Sequence, residues 1–440
     1  MEFHLGIDDT DSLRFGCTTY IAALLVEKLL KIGAEFIDYP NLIRLNPNVP
    51  WKTRGNGAVC LRFRHGEDVS EEVLEEAVEL VEEHADFECA NTNPGVVLHT
   101  GRVPRKFKRF SKRVIRSVVE LREAERLIHK HGCSAVGFKN RRGLIGALAA
   151  VGETLEGDHT YELLTYRVRE NRGKPRMVDP ESVREMDRAT RPMTFNNLDP
   201  ETGRILITPR GPDPVLYGIR GETPEAVYKA HLMVRVYEEV ERWVIFRTNQ
   251  GTDSHLKPAK DASEVRPYNP VVLEGRVAGW PRTIPGGHVI FPLDAGGIVE
   301  CAAYEPTGSF RNVVRMLAPG DVVRVYGGVR PPENGLPMTI NLEKLEVLRV
   351  SEVYMLENPT CPSCGGRMKS AGRGRGFVCK RCGFHSLTMT KVRVPIERKL
   401  REGLYIPPPR AHRHLTKPLQ RYGMEKSGKP DRLFNPWHWP

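Results

Sequence analysis

These 440 residues contain no apolar run of membrane-spanning length, no secretory leader, no disulfide framework and no Walker A motif. A spanning helix needs roughly 18 or more consecutive apolar residues, and a leader needs a charged start followed by an apolar core. Neither pattern is present, so the expectation is a cytoplasmic protein with no membrane association. Of nine cysteines, Cys17, Cys60, Cys89, Cys133 and Cys301 are scattered singly and define no set of bridges. Without GxxxxGK followed by Ser or Thr, any phosphate site must be built in another way.

What is present is charge. Lys and Arg total 66 against 55 Asp and Glu, a formal net charge of +11, which points to a polyanionic partner. The excess is uneven. Residues 67–88 are acidic, whereas 101–116 and the C-terminal third are basic. The composition is otherwise that of an ordinary soluble chain, long enough for about three domains.

The first twenty residues carry the densest chemistry. Phe3, Leu5 and Ile7 alternate as in a buried strand, and Tyr20 to Leu30 has helical spacing. Between them lie Asp8, Asp9 and Asp11 with Thr10, Ser12, Thr18 and Thr19. Strand-to-helix loops are where α/β proteins bind ligands. Carboxylates there suit Mg²⁺, which takes one or two of them plus water and phosphate oxygens, so one reading is an ATP–Mg²⁺ site. The other is a set of helix caps and Asx-turns. On an extended backbone Asp8 points away from Asp9 and Asp11, so convergence of all three requires a turn at Thr10.

Cys361-Pro-Ser-Cys364 and Cys379-Lys-Arg-Cys382 form two CxxC knuckles separated by fourteen residues, five of them glycine. Two knuckles at this spacing present four thiolates to one Zn²⁺. Flanking Arg367, Lys369, Arg373, Arg375, Lys380 and Arg381 make the module basic and suited to phosphates. Upstream, strands are expected at 271–278, 288–291, 297–304, 322–327 and 338–350, with a short helix at 309–317. Five strands with a helix after the third is the order of an OB-fold β-barrel, which often grips single-stranded nucleic acid. Trp280, Phe291 and Tyr304 are candidate stacking residues, at least one of them belonging to the core.

Two further loops are glycine-rich and basic. In Lys139-Asn140-Arg141-Arg142-Gly143 the backbone N–H groups can approach phosphates while Lys139 supplies charge, although a plain turn before the small-residue stretch Ala147–Ala150 fits equally. Arg210-Gly211-Pro212-Asp213-Pro214 leads through a strand to Arg220, and Thr223-Pro224-Glu225 starts a helix expected to reach about Val240. A strand at 243–247 and a polar rim over 248–255 complete a small α+β unit.

Taken together, Gly6–Ser12, Cys17–Tyr20, Leu42–Asn48, Trp51–Gly57, Asn93-Pro94-Gly95, the Lys139 loop, Gly211–Gly221, Arg247–Asp253 and the two knuckles resemble the archaeal 2-agmatinylcytidine synthetases of the minor isoleucine tRNA, the TiaS family. The resemblance implies a multidomain α+β protein. Its parts would be an α/β kinase-like N-terminal domain (1–195), a ferredoxin-like domain (196–262), an OB-fold (268–350), a zinc ribbon (355–392) and a basic tail (393–440). It implies a ligase that uses ATP, ending as AMP and phosphates, to join agmatine to C2 of the wobble cytidine of the CAU-anticodon isoleucine tRNA, so that AUA is read. Asp8, Asp9 and Asp11 would hold Mg²⁺–ATP, and Thr18 would match a threonine phosphorylated in the family. Lys139, Arg210, Gly211 and Arg220 would bind phosphates, with the 211–221 and 248–255 loops closing the site. Asp213, Asn249 and Asp253 are pocket candidates for agmatine. The barrel, ribbon and basic tail would hold tRNA, and no feature calls for an obligate protein partner. A non-enzymatic nucleic-acid binder, or an ATP-dependent enzyme of small molecules, would each leave part of this equipment without a use.

Overall fold

The structure is a computed structural model that describes every residue except Arg54 and Asn334; position 54 of the Trp51–Gly57 motif therefore lies outside the described residues. Strand β1 (Glu2–Asp8) leads into helix α1 (Thr18–Lys31), the short strands β2 (Glu35–Phe36) and β3 (Asn41–Arg44), and β4 (Gly57–Arg64). Then follow α2 (Ser70–His84), β5 (Gly95–Thr100), α3 (Arg105–Arg116), α4 (Leu121–Lys130), β6 (Ser134–Gly137) and α5 (Gly143–Gly152). A second set comprises β7 (Thr160–Arg167), α6 (Pro180–Thr190), β8 (Thr194–Phe195), β9 (Val215–Gly221), α7 (Pro224–His231) and β10 (Val240–Thr248).

One sheet runs through both sets in the order β6-β5-β1-β4-β3-β10-β7-β9-β8. Phe3, Leu5 and Ile7 are fully buried, as alternation on a central strand requires. Helix α3 shows why a basic run can still be helical. Phe107, Phe110, Val114 and Ile115 recur at i, i+3, i+7 and i+8 and are buried, so the Lys and Arg side chains fall on the other face. The seam is the parallel pair β3–β10, joined at Asn41–Arg247 and Leu42–Thr248.

Beyond the seam, the order β10-β7-β9-β8 is fourth, first, third, second in chain order, every neighbour antiparallel. The border expected at residue 195 cuts through this unit, since β7 pairs with both β9 and β10. Strand β7 is not among the elements expected from the sequence, and its pairing is what ties the two parts together. Helix α7 has its Thr223 cap, whose hydroxyl accepts from the Ala226 N–H at 3.2 Å. It stops at His231 rather than near 240, because the chain turns back to bridge Val236 with Val178 before β10 begins.

The next unit contains β11 (Lys257–Pro258), β12 (Pro270–Val277), β13 (Arg282–Ile284), β14 (His288–Asp294), β15 (Ile298–Ala303), α8 (Phe310–Arg315), β16 (Val322–Arg330) and β17 (Thr339–Arg349). Five of these strands close a barrel, β12-β16-β17-β15-β14, sealed where β14 returns to β12 at Asp294–Arg276 and Leu293–Val277. Helix α8 follows the third barrel strand. Phe291 is fully buried in this core and is excluded as a stacking residue; Tyr304 packs edge-on against His288, and Trp280 is 63% exposed. The four-cysteine ribbon hangs from an antiparallel stalk, Tyr354–Glu357 against Val392–Pro395.

The tail is not a loose basic arm. Gly403–Tyr405 pairs with β17, and His438–Trp439 pairs with β10. Trp437 packs on Phe36 and Tyr39. Four of its cations are engaged by internal acids: Arg410 by Asp199 and Glu201, Arg413 by Glu343, Lys417 by Asp158 and Glu425, and Arg421 by Asp158 and Glu222. Each of these four is drawn to a carboxylate within the folded protein, so they add less positive charge to the surface than the sequence count implies. No helix among the described residues is long and apolar enough to cross a membrane.

Candidate active site and metal centre

The acids stand at the end of β1, and the turn that gathers them falls at Asp9, whose φ of 61° is left-handed, rather than at Thr10. Asp8, Asp9 and Asp11 line one chamber of about 70 Å³ closed by Trp51, Lys52 and Gly55. The three carboxylates do not form a three-ligand cage: among the described residues the only such group within 4.8 Å is the cysteine quartet. Asp11 acts both as cap and as chamber wall. Its Oδ1 accepts from the Thr18 backbone N–H at 2.9 Å and from the Thr18 hydroxyl at 3.1 Å, and Thr10 Oγ1 lies 2.9 Å from Thr18 Oγ1. The capping reading thus holds for Asp11, and the same residue faces the chamber.

Electrostatics mark the cluster as under load. Burial, then the neighbouring Asp9 charge, pushes the Asp8 carboxyl well above the usual range. Burial raises Asp9 to about 6 despite Arg142, whose guanidinium reaches Asp9 Oδ2 at 3.2 Å. The backbone makes room for Asp8: a Cβ on Gly146 would stand 1.9 Å from Asp8 Oδ2.

Several expected residues sit elsewhere. Lys139 turns from the acids and donates to the carbonyls of Phe87 and Cys89, at 3.1 and 2.6 Å. Arg142, three residues on, is the cation that pairs with the acids; it also donates to Asn91 O and lies 5.7 Å from the Trp51 ring centroid. Arg210 is exposed and lines neither chamber, and Gly211 offers its carbonyl to Arg176. Asn249 pairs with both backbone groups of Arg44, stitching the seam. Asp253 binds Lys344 and the Lys417 N–H, anchoring barrel and tail. Both side chains are engaged in holding the fold, and neither lines the chamber of the acids. Of the chamber residues not named as candidates, Gly146 had a signal in the small-residue stretch that follows it, and Lys52 had one in the Trp51–Gly57 motif.

A second chamber of about 350 Å³ adjoins the first, sharing Asp11, Thr18, Gly55 and Gly57. It lies over the seam and receives Arg44, Glu162, Asp213, Arg220 and His414. Arg220 belongs here: its Nε donates to Glu162 Oε1 at 3.0 Å. Asp213 accepts from Arg176 and from the Val215 N–H.

The metal centre is formed as expected. Cys361, Cys364, Cys379 and Cys382 bring their sulfurs within 4.8 Å of one another. Each knuckle is closed by backbone turns, Gly365 N to Cys361 O and Gly383 N to Cys379 O, both 2.9 Å. The N–H groups of Cys382 and Arg381 lower the Cys379 thiol to about 6, which favours the thiolate that zinc takes.

A buried acid cluster with a hydroxyl at hydrogen-bond range, joined to a closed barrel and a basic zinc ribbon, defines a nucleotide-dependent enzyme that handles nucleic acid. Three family models match successive parts of the chain: the TiaS TCKD domain over residues 4–140, the TiaS FLD domain over 141–255, and the TiaS C-terminal zinc ribbon domain over 358–400. The chain is 46% identical to the 2-agmatinylcytidine synthetase TiaS of the second isoleucine tRNA from Methanosarcina mazei, covering 95% of this chain and 97% of that protein. It is 45% identical to the TiaS of Archaeoglobus fulgidus, covering 97% and 99%. Among solved structures it superposes on a complex of TiaS with that tRNA and ATP, with a TM-score of 0.87 at 44% identity, covering 96% of this chain and 97% of that one. A complex of TiaS with the same tRNA, AMPCPP and agmatine gives 0.84 at 42% identity, covering 96% and 97%. The chain belongs to the TiaS family.

Proposed function

We propose that the protein joins agmatine to C2 of the wobble cytidine of the CAU-anticodon isoleucine tRNA, forming 2-agmatinylcytidine in an ATP-dependent ligation, and that the two chambers divide the work. The observation that carries this division is the shared wall of Asp11 and Thr18. The first chamber takes the phosphate end of ATP, with one or two of Asp8, Asp9 and Asp11 holding Mg²⁺ and Arg142 and Lys52 supplying positive charge. An all-oxygen donor set, and a backbone cleared at Gly146 for the Asp8 carboxylate, fit that ion. When bound, Mg²⁺ supplies charge neutralisation to the phosphoryl oxygens.

A cytosine C2 oxygen is a poor leaving group until it carries a phosphate; the amine of agmatine then displaces that phosphate. Thr18, the residue that matches the family's phosphorylated threonine, has Asp11 Oδ1 within reach of its proton. The second chamber suits agmatine, a dication that needs acids, through Glu162 and Asp213. Domain assignments follow the same reading. The fourth-first-third-second strand order is that of a ferredoxin-like unit, the five-stranded barrel is an OB-fold, and residues up to about 140 form the kinase-like domain. A tRNA substrate fits a cytoplasmic location.

Mass analysis of the anticodon nucleoside after incubation with ATP, Mg²⁺, agmatine and the CAU-anticodon tRNA tests the function. An unmodified cytidine in a complete reaction would refute it.

A further inference from the structure

The C-terminal tail brings one side chain to the chamber wall from far along the chain. His414 is held in place by backbone bonds from the 251–253 segment: the Gly251 N–H donates to His414 O at 2.9 Å and the Asp253 N–H to Leu415 O at 2.8 Å. Its Nδ1 lies 3.0 Å from Arg220 Nη2 and 3.0 Å from Gln250 Oε1. One ring nitrogen cannot accept from the first and donate to the second at once. A guanidinium only donates, so Nδ1 accepts from Arg220 and the proton sits on Nε2. Gln250 is held instead by its amide, which donates to Glu162, and the other Glu162 oxygen accepts from Arg220 Nε at 3.0 Å. His414, Arg220, Glu162 and Gln250 thus form a polar cluster in which only His414 comes from outside the sheet half.

The imidazole also rests on the loop between the chambers. A Cβ on Gly55 would stand 2.8 Å from His414 Nε2, so the glycine is the surface against which the ring is seated. Burial, with Arg44 and Arg220 nearby, holds its pKa well below the ordinary value, in keeping with an acceptor at Nδ1.

We propose that His414 is a positioning residue for the conjugation step, holding Arg220 on Glu162 and so fixing the wall that receives agmatine. This rests on the reading of the second chamber as the agmatine pocket. The tail is then part of the catalytic apparatus as well as a strap.

The test uses the full chain with the CAU-anticodon tRNA and saturating ATP, varying agmatine. His414→Ala is expected to raise the agmatine KM about tenfold or more while the ATP KM stays within about twofold. His414→Asn, whose Oδ1 reproduces the acceptor, is expected to restore most of the loss. An unchanged agmatine KM in His414→Ala, or His414→Asn as impaired as His414→Ala with both KM values raised together, would overturn the proposal. Asp213→Asn separates the two readings. If it raises the agmatine KM and His414→Ala does not, the positioning role alone fails; if neither does, the chamber assignment fails with it.

Discussion

Asp9→Asn is expected to stabilise the metal-free protein at neutral pH while abolishing nucleotide turnover. Burial holds Asp9 at about 6 instead of its ordinary 3.8. The folded state therefore binds a proton more tightly than the unfolded chain, and stability falls as pH rises from about 4 to about 6, the deficit being complete above that. At about 1.4 kcal/mol per tenfold in proton affinity, the burden at pH 7 is about 3 kcal/mol as an upper bound. Asparagine removes it but leaves Arg142, only 21% exposed, without its ion pair, which returns about 1–3 kcal/mol. The net gain is then about 0–2 kcal/mol. Unfolding measured in EDTA between pH 4 and 8 should show the wild type losing stability relative to the variant across the pH 4–6 window. Mg²⁺–ATP should reverse the order, because ligand binding to the native state favours the protein that still has the carboxylate. Parallel pH profiles for the two proteins, or turnover at the wild-type rate in the variant, would refute the assignment of Asp9 to a loaded metal-nucleotide site.

Gly146→Ala sets a methyl 1.9 Å from Asp8 Oδ2; calorimetry should show about 1–3 kcal/mol of destabilisation, and displacement of the carboxylate should cut turnover by about a hundredfold. Arg142→Ala should raise the ATP KM and move the acid limb of the pH–rate profile upward, since Asp9 loses its cation, whereas Lys139→Ala should leave both unchanged and shift stability by about 1 kcal/mol at most. Cys379→Ser should abolish the one-zinc stoichiometry seen by metal analysis and weaken tRNA binding, with the ATP KM unaltered.

Sequence patterning exposed the parts whose logic is local. Alternation in Phe3–Ile7, the spacing of the two knuckles, and the strand rhythm from 270 to 350 each correspond to the element found. Relations made across the chain were hidden. Lys139 and Arg142 belong to one basic loop, and which of them enters the site depends on left-handed turns at Lys139 and Arg141 that no side-chain pattern announces. Asn249 and Asp253 looked like a binding rim because a seam and a strap need the same hydrogen-bonding groups as a ligand. The basic tail read as a nucleic-acid arm because its acidic partners, Asp158, Glu222 and Glu343, lie far away in sequence.

That tail has a consequence for the order of assembly. Segment 410–439 leaves the ribosome after the barrel and the ribbon, yet it supplies a chamber wall and a strand on β10. A nascent chain can complete the ribbon while the barrel still lacks the strand Gly403–Tyr405 and the N-terminal sheet still waits for residues not yet synthesised. A chain cut just past the ribbon would therefore lack the His414 wall of the second chamber as well as the strand on β10.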